Sequence, residues 1–161
     1  MIHRVFAYGS NMHVPDLRAW MERKGFSDAQ ILGSRSALLH GWELVWDYRS
    51  PSRLGGAANV RPNQGKLLPG VVLDLDQRGL DAVDRKEGHP GRYDRTDRLV
   101  DVHLPTHDVV SAWLYVVTDA WREPEIVPPR RAYLKLVIEG ALTHDLPEWH
   151  VEMLRCIETE G

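Results

Sequence analysis

Two stretches carry residue types that could do chemistry: Tyr8-Gly9-Ser10-Asn11 near the start, and the acid Glu87 in the middle. In the first, a glycine lets the backbone turn sharply and approach a ligand closely. Free N–H groups in such a turn, ahead of a helix, can hold a carboxylate or a developing oxyanion. The same four residues also suit an ordinary strand-to-helix turn, and on their own they fit both readings. Ser10 is a weak nucleophile candidate, because it lacks the G-x-S-x-G elbow and no histidine or aspartate partner is marked by spacing.

Glu87 stands out through helix geometry. At about 100° per residue it lies about 20° from Leu80 and about 40° from Val83 around the axis. An acid on that apolar stripe faces the interior, and a carboxyl held there without a cation has its pKa raised. Such a group can take and return protons near neutrality. The plainer reading is a buried glutamate paired with an arginine, or one turned out to solvent at the helix end. Asp84, about 60° away on the same helix, shares part of the face and is an alternative acid.

Other chemistry is poorly served. The 8 histidines form no ligand constellation and no H-E-x-x-H is present, so neither metal catalysis nor a bound metal is expected. Trp113 and Trp121 read as core rather than pocket wall. Arg61, Arg92 and Arg95 read as solvated charges or ion-pair partners rather than anion ligands.

The elements that must position the two stretches follow from periodicity. Residues 2–7 read as a short buried strand and 14–24 as a helix, with Pro15 in its first turn, Asp16 at its positive end and Gly25 as its stop. Trp42, Leu44 and Trp46 alternate with polar neighbours or Val45, as in a strand. Residues 49–56, with Ser, Pro and two glycines, read as a mobile loop. Short strands are expected over 57–60 and 70–75, and Asp76 can cap a helix over 77–88. Residues 92–104 and 109–117 resemble a hairpin. A helix over 130–139 presents Tyr133, Leu136 and Val137 on one face and stops at Gly140, and Pro147 opens a last helix. Strands early and helices around them, without βαβ alternation, make an α+β pattern: a curled mixed sheet or small barrel flanked by helices.

With 161 residues, 43% hydrophobic and 27% charged, the chain suits a single domain over 1–161. A formal net charge of −3 argues against nucleic acid as the main partner, although a local anion site fits the arginine-rich composition. Membrane spans are not expected, since no apolar stretch nears the ~20 residues required. The first strand begins at once, so no leader is expected and the cytoplasm is the expected compartment. The lone Cys156 reads as core filler or a quiet surface thiol.

Taken together, the stretches resemble the γ-glutamylcyclotransferase family, including its AIG2-like and butirosin-pathway members. The family's F-A-Y-G-S-N strand end is unchanged at Phe6 to Asn11. Its G-V-V strand and L-D-x-x-E-G helix end correspond to Gly70-Val71-Val72 and Val83-Asp84-Arg85-Lys86-Glu87-Gly88, with valine where leucine is usual. Tyr93, Pro128-Pro129 ahead of Tyr133, and Leu146-Pro147 continue the likeness, which runs to about Ile157. Asn11, where the ChaC-like branch more often has leucine, favours the branch acting on γ-glutamyl amino acids and amines.

The resemblance implies a cofactor-free enzyme with a small-molecule γ-glutamyl substrate; a homodimer stays open. It implies that Tyr8, Gly9, Ser10 and Asn11 hold the γ-glutamyl portion and that Tyr133 closes the pocket. Glu87 is then the catalytic acid/base, taking a proton from the α-ammonium so that the amine attacks its own γ-carbonyl and 5-oxoproline departs. Removal of a γ-glutamyl protecting group from an antibiotic intermediate would use the same chemistry. A non-catalytic γ-glutamyl-metabolite binding module, and an amidase using Ser10, are readings of other kinds.

Overall fold

The computed structural model describes residues Met1–Gly161. Five strands close a barrel in the order β1-β3-β2-β5-β6, where β1 is His3–Ala7, β2 Ile31–Ser50, β3 Gly55–Leu75, β5 Leu99–His103 and β6 Val109–Trp113. A parallel bridge from Val5 to Trp113 makes the closure. Two further short strands, β4 (Tyr93–Asp94) and β7 (Val116–Val117), pair beside the barrel. Helices α1 (Val14–Arg23), α2 (Gln77–Glu87), α3 (Arg131–Thr143) and α4 (Glu148–Arg155) complete the α+β architecture. No helix is long and apolar enough to cross a membrane.

Period-two alternation sorts the strand side chains into two layers. On β1, Phe6 joins a cluster with Leu39, Val60, Leu68, Val72 and Val102 that fills the barrel. Its neighbours Val5 and Ala7 join a larger cluster with Leu17, Leu73, Leu80, Val83, Val137 and Leu154, the seam between barrel and helices. A glycine at 70 permits this packing, since a Cβ there would lie 2.4 Å from the Phe6 ring.

Several local expectations are corrected. Residues 49–56 form a tight hairpin turn instead of a mobile loop: β2 runs to Ser50, β3 starts at Gly55, and the Leu54 amide donates to the Ser50 carbonyl at 3.0 Å. The two short strands expected over 57–60 and 70–75 are one strand. Register shifts at His40/Trp42 and Val45/Tyr48 let the long ribbon bend while absorbing Pro62 and Gly65. The later hairpin is shorter at its centre than expected, pairing Leu99 to His103 with Val109 to Trp113, while Tyr93 and Asp94 pair with β7.

Helix α3 continues through Gly140, which is there for contact and not as a stop. A Cβ at that position would lie 2.8 Å from Met12, so glycine lets the helix lie against the turn that follows β1. Trp121 is 41% exposed and not core, while Trp113 is half-buried under the Arg95 guanidinium at 4.5 Å. Cys156 is an exposed thiol.

Candidate active site

Strand β1 delivers its end to one side of a cavity of about 330 Å³, and α2 delivers its last residue to the same cavity. All six residues singled out from the sequence line it: Tyr8, Gly9, Ser10, Asn11, Glu87 and Tyr133. After β1 the chain tightens into a 3-10 turn over Ser10–Met12, with the Met12 amide on the Gly9 carbonyl at 3.1 Å. Gly9 is needed there for close approach, because a Cβ would sit 2.9 Å from the Tyr133 hydroxyl.

Helix α2 is set by its caps. The Asp76 carboxylate accepts from the Gly79 amide at 2.7 Å, and Gly88 closes the helix in the left-handed region at φ 68°. This fixes the phase that turns Leu80 and Val83 into the core and brings Glu87 to the cavity. Asn11 then joins the two elements: its Nδ2 donates to Glu87 Oε1 at 2.5 Å, and its Oδ1 accepts from Lys86 Nζ at 2.5 Å. The lysine fixes which way the amide faces, and the amide presents a neutral donor to the acid.

Burial raises the Glu87 carboxyl above the ordinary carboxylate range; Lys86, the Asn11 amide, Arg53 and Arg92 pull it back only in part. Burial lowers the Lys86 ammonium, and the Glu87 charge opposes that shift. Asp84 is the opposite case. Burial would raise it, yet Arg95 at 2.7 and 2.8 Å and the Tyr115 hydroxyl at 2.5 Å outweigh burial and hold it below its usual value. Asp84 is thus committed to an ion pair and does not line the cavity.

Tyrosines form the cavity's rigid wall. The Tyr133 hydroxyl accepts from the Ala58 amide at 3.1 Å, and the Tyr93 hydroxyl donates to the Ala58 carbonyl at 2.6 Å. Ala58 sits opposite the β2 bulge with no register partner there, so side chains satisfy its polar groups. The Tyr8 hydroxyl donates to the Tyr115 carbonyl at 2.8 Å, which places Tyr8 as a wall and not as a proton carrier. Burial raises all three phenols, so they stay protonated at neutral pH. Ser10 has one side-chain partner, Arg53 at 3.4 Å, and no imidazole or carboxylate to activate it.

Comparisons with known proteins identify the family and the fold. Residues 5–134 match the family model described as gamma-glutamyl cyclotransferase, AIG2-like. The chain belongs to this family. The matched span contains every cavity residue discussed here, while α4 lies beyond it. A candidate gamma-glutamylcyclotransferase of Drosophila melanogaster, CG2811, is 25% identical over 122 residues, 73% of this chain and 71% of that protein. A solved structure named gamma-glutamyl cyclotransferase superposes with a TM-score of 0.81 at 24% identity, covering 99% of this chain and 90% of that one. The human protein loc79017 superposes at 0.79 with 26% identity, covering 99% and 89%.

The family fold also brings in residues that the sequence did not single out for this role. Lys86 and Arg53 line the cavity, and so does Arg92, read from the sequence as a solvated or paired charge. Arg53 sits on the hairpin turn, held by Asp16 at 3.2 Å, with its guanidinium 5.5 Å from the Tyr133 ring centre. The sequence signal for Arg53 is no more than a basic residue within the 49–56 segment. Nothing local distinguishes Arg92, which reaches the cavity through the turn after α2.

Proposed function

We propose that this chain is a γ-glutamyl cyclotransferase that converts a γ-glutamyl amino acid or amine into 5-oxoproline and the free amine. The carrying observation is the 2.5 Å hydrogen bond between Asn11 and Glu87, which joins the two sequence motifs at one cavity and leaves the acid with a raised pKa. Backbone groups of Tyr8 to Asn11 hold the γ-glutamyl head. Glu87 takes a proton from the substrate's α-ammonium, and the freed amine attacks the γ-carbonyl carbon to close a five-membered ring. The proton then passes from Glu87 to the leaving nitrogen as the C–N bond breaks, and the second proton, shed by the ring nitrogen, leaves on the departing amine as its ammonium. No water is consumed and no covalent enzyme intermediate forms.

The cost of holding one rotamer of a flexible head is met by shape, and good orientation can supply about 7–11 kcal/mol of the barrier. Loop N–H groups near the developing oxyanion add about 2.7–4 kcal/mol per donor. A carboxyl whose pKa is raised by burial holds a proton more readily than a free one, which suits the return of that proton to the leaving nitrogen. The test is to incubate the protein with γ-glutamyl amino acids, γ-glutamyl amines and glutathione and to follow 5-oxoproline by mass spectrometry. Glu87→Gln is expected to lose ~100- to 10,000-fold in rate. Undiminished turnover in that variant would sink the proton-transfer scheme, and release of free glutamate instead of 5-oxoproline would sink the ring closure.

A further inference from the structure

The cavity is unbalanced in charge. Its lining includes five cations, Arg23, Lys24, Arg53, Lys86 and Arg92, and one carboxylate, Glu87. Asp16 compensates Arg53 at 3.2 Å, and Glu87 faces Lys86 through Asn11. Arg23, Lys24 and Arg92 remain without an ion-pair partner. A γ-glutamyl head does not correct this, because its α-ammonium and α-carboxylate cancel. Negative charge must come from the rest of the ligand.

The burial gradient says where. Asn11 is 7% exposed and Tyr133 5%, so the ring-closing end of the ligand lies deep. Arg23 and Lys24 are exposed at the end of α1 and line the same cavity beside Trp20, which places them at its mouth. What trails from the γ-amide nitrogen toward solvent must pass them. We propose that the leaving amine is itself anionic: an acidic amino acid or acidic peptide whose carboxylates lie against Arg23 and Lys24. This rests on the ring-closure reading given above and names its substrate class. It disfavours polycationic leaving groups, which would meet these two cations and Arg53.

A plain alternative for Arg23 is to offset the negative end of the α1 dipole. That role would show in stability and leave the ranking of substrates unmoved. The experiment therefore measures kcat/KM for γ-glutamylglutamate, γ-glutamylalanine and γ-glutamyllysine, with parent protein and with Arg23→Glu/Lys24→Glu, alongside thermal midpoints. Each exposed ion pair can be worth up to about fivefold, so the acidic substrate is expected to lead the basic one by about tenfold. The lead shrinks with added salt and inverts in the double variant. A flat ranking, a basic preference, or a double variant that changes only the midpoint overturns the proposal. The same three ligands are also titrated into Glu87→Gln by calorimetry. A preserved binding preference with no 5-oxoproline from the parent keeps the anionic class and overturns ring closure; turnover without preference does the reverse.

Discussion

Replacing Gly9 by alanine tests the geometry of the loop directly. The added Cβ would sit 2.9 Å from the Tyr133 hydroxyl oxygen and 3.2 Å from the Ala58 Cβ. The backbone φ of −117° lies outside the left-handed region, and the steric contact is the part of the cost that a change at Tyr133 can relieve. Tyr133 cannot swing aside freely: its hydroxyl accepts from the Ala58 amide at 3.1 Å, and its ring meets Trp46 edge-on at 6.1 Å between centres. Overpacking of this kind costs about 1–3 kcal/mol. Tyr133→Phe carries a different cost, about 1–3 kcal/mol for an Ala58 amide left buried without an acceptor. In the double variant the new methyl enters the space the hydroxyl vacated, and only the contact with Ala58 remains.

The pair should therefore cost less than the sum of the single changes, by about 1–2 kcal/mol. Urea unfolding of the four proteins, with a common slope, reads this coupling. The corresponding recovery in thermal midpoint is about 2–4 °C per kcal/mol for a chain of this size. Additivity within about 0.5 kcal/mol would refute the claim that Gly9 is required by the approach of Tyr133. Turnover gives a second reading, because displacement of the loop by 1 Å can cost ~100-fold.

Two further outcomes follow from the acids of α2. Because burial raises the folded Glu87 carboxyl above its unfolded value of about 4.3, ionisation penalises the folded state. Glu87→Gln is expected to raise the thermal midpoint at neutral pH, with the gain fading as pH falls through the raised pKa toward the unfolded value; a variant less stable at every pH would contradict this. Asp84→Asn is the mirror case, since a lowered folded pKa adds stability above the unfolded value of about 3.9 that is lost as pH falls through the folded one. It should cost about 1.5–3 kcal/mol at neutral pH, nothing in strong acid, and retain 5-oxoproline formation, whereas loss of turnover without loss of stability would reassign the acid.

What could be read in advance was local. The turn at Gly9 and the phase of Glu87 against Leu80 and Val83 depend on neighbours within two helical turns, and so do the caps at Asp76 and Gly88. The β2–β3 ribbon was harder because Pro62 and Gly65 look like breaks, and only pairing across many residues shows that a bulge absorbs them. Residues 49–56 have the composition of a mobile loop, yet ladder hydrogen bonds on both sides restrict them to a turn. Gly140 is ambiguous in the sequence for a related reason. A helix-end glycine and a contact glycine look alike until Met12, 128 positions earlier in the chain, is seen against it. The cations of the cavity come from α1, the hairpin turn, α2 and the turn after it, and no periodicity links those segments.

Asp84 and Glu87 differ by less than one helical turn, and the proposed chemistry depends on their being kept apart. Both carboxyls are pushed up by burial. Asp84 meets a guanidinium directly, through two bonds, and is held ionised. Glu87 meets a neutral amide, with the Lys86 charge one residue further along the chain of hydrogen bonds. A charge placed directly on Glu87 would favour its ionised form, as Arg95 does for Asp84, and remove its affinity for a proton. A purely apolar contact would leave it protonated and unable to act as a base. An amide oriented by a lysine lies between these limits: it orients the carboxyl without fixing its protonation state, which is the condition an acid/base residue at this cavity has to meet.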